Sequence, residues 1–481
     1  MPRWRVVDGM SLAAIALNRF GLGARPGDAS PADPSSWLLG QFGHFEPRPA
    51  VVTSLPDAMA MTTQYRENLQ QLRQMGLIGT RVPSEQQVPG AQAKAEQFQQ
   101  ERRQAYRSAY GGQVRARLAM ALGSQAPFAE RLVHFWANHF AISTDKLATI
   151  TMAGPFEFEA IRPHIGGHFF DLLLAVTRHP GMLFYLDQAQ SIGPNSRLGT
   201  LARGRNLPRQ PGLNENLARE ILELHTLGAG HYTQADVAGL ARALTGWSVG
   251  GFGRRMLLID APAGAFVFQP ALHEPGSVTV AGTRYAQDGE GQARAILSDL
   301  ALNPLTATRL ATKLAQHFVA DAPPPALVER MAHAYLASGG EMMALYRTLI
   351  AAPEAWAQPL AKFKTPWDWT VSAVRALGWR DLPDGRLALT LNELGQPVWR
   401  PGSPAGWPDD AARWAAPDAL VRRVEVANRL ASLAGTADAR ALAPRLLPGT
   451  LSAATATAIA RAESPAQGLA LLLVSPEFMR R

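Results

Sequence analysis

The stretch Asn214-Glu215-Asn216-Leu217-Ala218-Arg219-Glu220-Ile221-Leu222-Glu223-Leu224-His225-Thr226-Leu227-Gly228 decides the fold class. Leu217, Ile221 and Leu224 fall at helical spacing and form one apolar stripe. Asn214 is a candidate N-cap, Glu215 suits the positive end of the helix dipole, and Gly228 is a C-terminal stop. A second helix is expected over 234–247, entered through Thr233 and Asp236 at capping-box spacing. The same periodicity marks 11–20, 57–76, 92–122, 127–142, 156–178 and 181–188 before this pair, and resumes from about 290 to 375. Residues 45–56, 190–212 and 395–416 read as loops, and two or three further helices close the chain. Only 249–290 changes character, with Phe266-Val267-Phe268 and Val278-Thr279-Val280 set between Pro and Gly. The expected fold class is mainly α and multi-helical, with a small β-hairpin or irregular insertion near 249–290. By this reading 1–248 is an N-terminal helical region, 249–290 the insertion, and 291–481 a C-terminal helical lobe, all within one domain overall.

Composition narrows the function classes. A chain of 481 residues with 47% hydrophobic and 18% charged residues is globular rather than disordered. It has no Cys, which excludes disulfides, thiolate metal sites, iron–sulfur clusters and a cysteine nucleophile. The net charge of +8 comes from scattered arginines, since Lys94, Lys146, Lys313, Lys362 and Lys364 are the lysines. No run forms a basic arm, so nucleic-acid binding is not expected. The apolar stretches at 10–17, 172–176 and 469–474 are too short to span a membrane, and no export signal is evident. The reading is a soluble, cytoplasmic protein, with export alongside a partner as the alternative.

Several motifs are absent or fail in context. There is no Walker lysine motif, no His-Glu-x-x-His and no Gly-x-Ser-x-Gly. The 232–241 segment resembles the first helix of a helix-turn-helix, but glycine and β-like sequence replace the reading helix. His164 and His168 have a four-residue spacing that suits zinc, yet Gly166-Gly167 lies between them and no third ligand is near. The metal and cofactor therefore stay unknown at this level.

Polar residues gather at two places. In Arg131-Leu132-Val133-His134-Phe135-Trp136-Ala137-Asn138-His139-Phe140, His139 shares a helix side with large aromatics, while His134 and Asn138 share another. His139 reads either as a core histidine bonded to a carbonyl or as a ligand or proton carrier. In 214–228, Glu220 and His225 edge the apolar stripe, where an unpartnered charge is costly. Arg219 and Glu223 are one turn apart and read as a surface ion pair or as part of a site. A third region, 396–414, interleaves Trp399, Trp407 and Trp414 with Pro397, Pro401, Pro404 and Pro408. Such a loop is stiff and offers broad apolar rings, with Arg400 adding a planar donor fork.

These pieces together resemble the bacterial domain of unknown function 1800 family. The matching blocks are Leu17-Asn18-Arg19-Phe20-Gly21-Leu22-Gly23, 134–140, His179-Pro180-Gly181-Met182-Leu183, the 214–228 stretch, Tyr232–Val237 and Ala243-Leu244-Thr245-Gly246-Trp247. Ala311-Thr312-Lys313-Leu314, Phe363-Lys364-Thr365-Pro366, Gly395-Gln396-Pro397 and Gly406-Trp407-Pro408 follow in order. The resemblance implies no reaction. It does imply a partner, because genes of this family often lie beside those of the domain of unknown function 1501 family, whose members resemble alkaline phosphatases and sulfatases. Many relatives also carry an export signal.

Two functions follow as expectations. In the first, His134, His139, Arg219, Glu220, Glu223 and His225 form a catalytic or binding pocket with Asn138, Asn214, Trp399, Arg400 and Trp407. Glu220 or Glu223 would be the general base, His225 or His139 its proton partner, and Arg219 an anion clamp. In the second, the chain is a non-catalytic scaffold or maturation partner of the phosphatase-like neighbour, using the polar helix over 92–110 and the Trp399–Trp414 loop as contact surfaces. The helices at 134–139 and 214–225 are expected to be adjacent, with Trp399 or Trp407 bordering a cleft that the Asn214–His225 helix also lines.

Overall fold

Helix Pro127–His139 is buried along nearly all its length, and the chain is organised around it. Pro127 supplies the fixed φ of a first helical turn, and the run Phe128, Leu132, Phe135, Trp136 is apolar enough to be enclosed on several sides. Trp136 donates its indole N–H to the Tyr346 hydroxyl at 2.7 Å, and that hydroxyl donates to the Ile165 carbonyl at 2.9 Å. The aromatic core thus closes without an orphaned polar tip. In the computed structural model, which describes residues 9–77, 91–204, 212–252, 261–357, 360–382, 385–435 and 437–481, one hydrophobic cluster runs from Ile15 to Phe478. The architecture is mainly α with a small β insertion, as expected.

Most expected helices are present with small shifts of boundary. The two long ones are Ala58–Gln74 and Ala91–Gly123. The Gly111-Gly112 pair does not interrupt the second helix, and a Cβ at Gly112 would make an ordinary 3.6 Å contact with Leu55. The connection holding Pro83 and Pro89, and parts of the 190–212 loop and 249–290 insertion, fall outside the described residues. Within the expected loops the structure adds short helices at Ala50–Thr53, Arg197–Arg203 and Ala411–Trp414. Among the described residues no helix is long and apolar enough to cross a membrane.

The β insertion is present as two ribbons, and the start of the 214–228 helix needs correction. Trp247–Val249 pairs antiparallel with Phe266–Phe268, and Val278–Val280 pairs with Thr283–Tyr285 across the tight turn Ala281-Gly282, giving two separate ribbons. The 214–228 helix is α only over Asn216–Glu220 and then widens into a π turn over Ile221–His225. Its N-cap is Glu215, while Asn214 Oδ1 accepts the Asn216 N–H at 2.9 Å and its amide ties back to the Leu186 and Asp187 carbonyls. Thr233 and Asp236 do form the capping box of Gln234–Leu244.

Candidate functional site

A cleft of about 280 Å³ opens over the C-terminal half of Pro127–His139. His134, Phe135, Asn138 and His139 make its floor, and Lys313, Gln316 and His317 come from helix Pro304–Phe318. Trp367 and Asp368 enter from the first turn of Pro366–Ala376, and the 396–410 loop forms the roof with Trp399 and Trp407.

The roof is held by hydrogen bonds that use backbone at both ends. Asn138 donates its amide to the Trp407 carbonyl at 2.9 Å and accepts the Trp407 N–H at 2.7 Å. Gly406 makes this clamp feasible: its φ is +83°, and a Cβ there would lie 2.3 Å from the Asn138 carbonyl oxygen. Trp399, at a φ of +49°, donates its indole N–H to Glu157 at 2.7 Å and accepts the Thr144 N–H at 2.9 Å. Tyr110 donates to the Val398 carbonyl at 2.8 Å. Glu157 sits on a π turn, Phe156–Ile161, and also pairs with Arg117 at 2.9 Å. The Arg117 guanidinium lies 4.2 Å from the Trp367 ring centre and 5.4 Å from that of Trp399, so one cation joins both aromatic walls.

The histidines are neutral and their tautomers follow from their partners. Trp367 donates its indole N–H to His134 Nδ1 at 3.1 Å, so the His134 proton is on Nε2, where no described residue accepts it. His139 donates Nε2–H to the His225 carbonyl at 3.2 Å, which leaves its buried Nδ1 without a partner. Burial, aided by Arg117 at His134 and by Lys313 at His139, holds both rings well below the usual histidine range. Burial with Lys313 and Arg309 nearby brings His225 down to about 3. His317 donates Nδ1–H to Asp409 at 2.5 Å, and burial with Arg481 lowers it to about 4.

The charged groups of the lining are mostly committed. Arg117 pairs with Glu157, and Asp321 with the buried Lys362 at 2.5 Å. Asp368 meets Arg131 and Arg481, each at 3.1 Å, and Asp409 meets His317 and Arg481. Asp410 caps its own helix through the Arg413 N–H at 2.9 Å. Among the described residues Lys313 is the charged lining side chain with no hydrogen-bond or ion-pair partner. Burial, then Arg309 one turn earlier, lower its ammonium to about 8 against the opposing pull of Asp409.

The structure separates the residues that the sequence grouped. His134, Asn138, His139, Trp399 and Trp407 line the cleft. His225 lies behind His139, with the two ring centres 6.2 Å apart, so the two motif helices do meet. No lining residue comes from 214–225, however, and the expectation that this helix borders the cleft is overturned. Its polar groups face another way: the Tyr232 hydroxyl donates to Glu223. Arg219 reaches Glu215 and Gln234 rather than Glu223. Glu220 is half-buried, and burial together with Glu223 raises its carboxyl. No described hydrogen bond or ion pair joins Glu220 or Glu223 to either histidine. Asn214 is a loop tie, and Arg400 is an exposed side chain 3.5 Å from Asp145, outside the cleft. The metal spacing also dissolves: His164 bonds the Ala160 carbonyl at 3.0 Å and His168 the Gly339 carbonyl at 3.2 Å, and no described group of three or more acidic or histidine side chains could hold an ion.

Sequence reasoning missed Lys313, His317, Asp409, Arg117 and Glu157. A signal existed for the first two. Lys313 is a rare lysine in an arginine-rich chain, and His317 follows it by one helical turn on the same face.

No curated protein matches the chain, and no solved structure matches it. A family model described as Protein of unknown function (DUF1800) matches residues 15–480, and it takes in the floor, the roof and the Lys313 helix of the cleft. By that match over nearly its whole length, the chain belongs to the DUF1800 family.

Proposed function

We propose that the protein is a small-molecule-binding protein or enzyme whose site is the cleft beneath the 396–410 loop. The ligand carries a flat or apolar body between Trp367, Trp399, Trp407 and Phe135, and an electron-rich oxygen head, carboxylate or carbonyl, at Lys313. The observation that carries this reading is Lys313: a cation on the wall of an aromatic cleft, left unpaired while its charged neighbours are paired. A half-buried ammonium without an anion is partly stripped of water, and a ligand oxygen supplies a charge-assisted contact in its place. His134 offers a neutral N–H donor on the floor of the same cleft. Asn138, Glu157 and Arg117 are positioning residues that fix the roof and the rings.

A thermal-shift panel of matched aromatic acids, aldehydes and amines tests this. Acids and carbonyl compounds are expected to raise Tm, and amines of the same shape to leave it unchanged. Equal stabilisation by amines would remove Lys313 from the reading.

The second reading, a scaffold for a domain of unknown function 1501-like partner, draws on the exposed first half of Ala91–Gly123, where Glu101 and Arg103 face solvent. The Trp loop supports it less, since Trp399 and Trp414 are buried and Trp407 is half-buried against Asn138. Co-purification of the two chains at equal stoichiometry is the expected result of that reading.

A further inference from the structure

Lys313 has a setting that an anion clamp alone does not require. The side chain rises from the middle of Pro304–Phe318 onto the cleft wall, and the flanking turns of that helix present Arg309 on one side and His317 on the other. Arg309 is a fixed cation whose Nε–H is spent on the Leu224 carbonyl at 3.1 Å. His317 is locked to Asp409, and Asp409 is shared with Arg481 and Lys362, so its charge is drawn away from Lys313. His139 and His225, the other titratable groups near Lys313, are neutral. A half-buried lysine placed beside a second cation and denied a carboxylate partner keeps part of its population as free amine near neutral pH. It lines the same cleft as Phe135, Trp367, Trp399 and Trp407, which puts that amine at the edge of a space a flat ligand would fill.

We propose that Lys313 is a nucleophilic amine that captures the carbonyl carbon of an aldehyde or ketone seated between the aromatic walls, forming an imine. The proposal rests on the cleft being the ligand site and names the class of ligand. The Nζ lone pair attacks the carbonyl carbon and the C=O π pair moves to oxygen. A proton passes from nitrogen to that oxygen, giving a carbinolamine. Protonation of its hydroxyl and departure of one water leave the C=N bond. No oxidant or reductant is consumed. The imine hydrolyses by the reverse path unless a reductant traps it.

The small number of lysines makes the test direct. The intact protein is incubated near neutral pH with benzaldehyde and sodium cyanoborohydride, and the benzylated lysines are mapped by peptide mass spectrometry. Lys94 and Lys146 are exposed and serve as internal references. A lowering from 10.5 to about 8 corresponds to a free-amine fraction on the order of 100-fold larger near neutral pH. Lys313 is therefore expected to be modified at least ~10-fold faster than either reference, after allowance for its shielding. Modification of Lys313 no faster than Lys94 would overturn the proposal. Lys313→Arg should lose the fast adduct while keeping its Tm; if that variant fails to fold, the ratio within the wild-type chain still decides. Benzoate protection separates the two readings. Benzoate binding without a Lys313 adduct overturns the imine and keeps the cleft, whereas neither binding nor adduct overturns both.

Discussion

His139 donates its Nε2–H to the backbone carbonyl of His225 at 3.2 Å, and this one bond joins the helix under the cleft to the helix of the Asn214–Gly228 motif. It uses a histidine as a fixed donor on one side and a π-turn carbonyl on the other. The consequence is electrostatic as well as mechanical: both rings must remain neutral, since each is buried near Lys313 and Arg309.

Acid should therefore weaken the fold at this junction. His225 titrates at about 3 when folded and near 6.5 when unfolded. As pH falls through that window the unfolded chain binds a proton that the folded chain does not, so stability is lost. At pH 5 this one ring costs about 2 kcal/mol relative to pH 7. Urea unfolding of the wild type and His225→Phe at the two pH values measures it. The variant should lose less stability on acidification, and an equal loss would mean that His225 is not the sensitive group.

Lys364 carries the same sign of pH dependence, in an alkaline window. It is fully buried over the Phe478 ring, its Nζ has no hydrogen-bond partner, and burial with Arg131 nearby lowers it to about 7. Between about 7 and 10.5 the unfolded chain holds a proton that the folded chain lacks, so this site's contribution to stability rises with pH. Lys364→Met should be more stable than the wild type near pH 7, by about 1–4 kcal/mol, with the gap closing as pH rises. Destabilisation by this change would show that the amine has a partner the geometry does not reveal.

The roof can be released without touching its rings. Gly406→Ala places a methyl against the Asn138 carbonyl at a backbone angle that alanine resists. A cost of about 1–3 kcal/mol is expected, together with faster hydrogen exchange at the Trp407 N–H, which Asn138 now shields. Unchanged exchange would indicate that the Asn138 clamp does not hold the loop.

The helical class was legible in the sequence because period and caps agree: Leu217 and Ile221 are buried and the Thr233–Asp236 box forms as read, although Leu222 and His225, rather than Leu224, complete the buried face. The site was half legible. His134 and His139 could be picked out because they are polar groups inside an aromatic run, and the roof could be picked out from its Trp and Pro content. Glu220 and Glu223 were grouped with the histidines because they share a helix, yet helical spacing already sets them on the other edge of the stripe from His225. Lys313, His317 and Asp409 were hidden for a different reason. Their meaning depends on which charges lie opposite, and the pairing of Asp409 with His317 and Arg481 links residues far apart in the chain.

The measurement that bears most directly on the cleft is isothermal titration of benzoate into the wild type and into Lys313→Met, with Lys94→Met as a surface control. Benzoate should bind the wild type and the control alike, and Lys313→Met at least ~10-fold more weakly, the loss expected for one charge-assisted hydrogen bond. Equal binding by the wild type and Lys313→Met, or no binding to the wild type, would contradict the assignment of this cleft as a site that holds an oxygen head on Lys313.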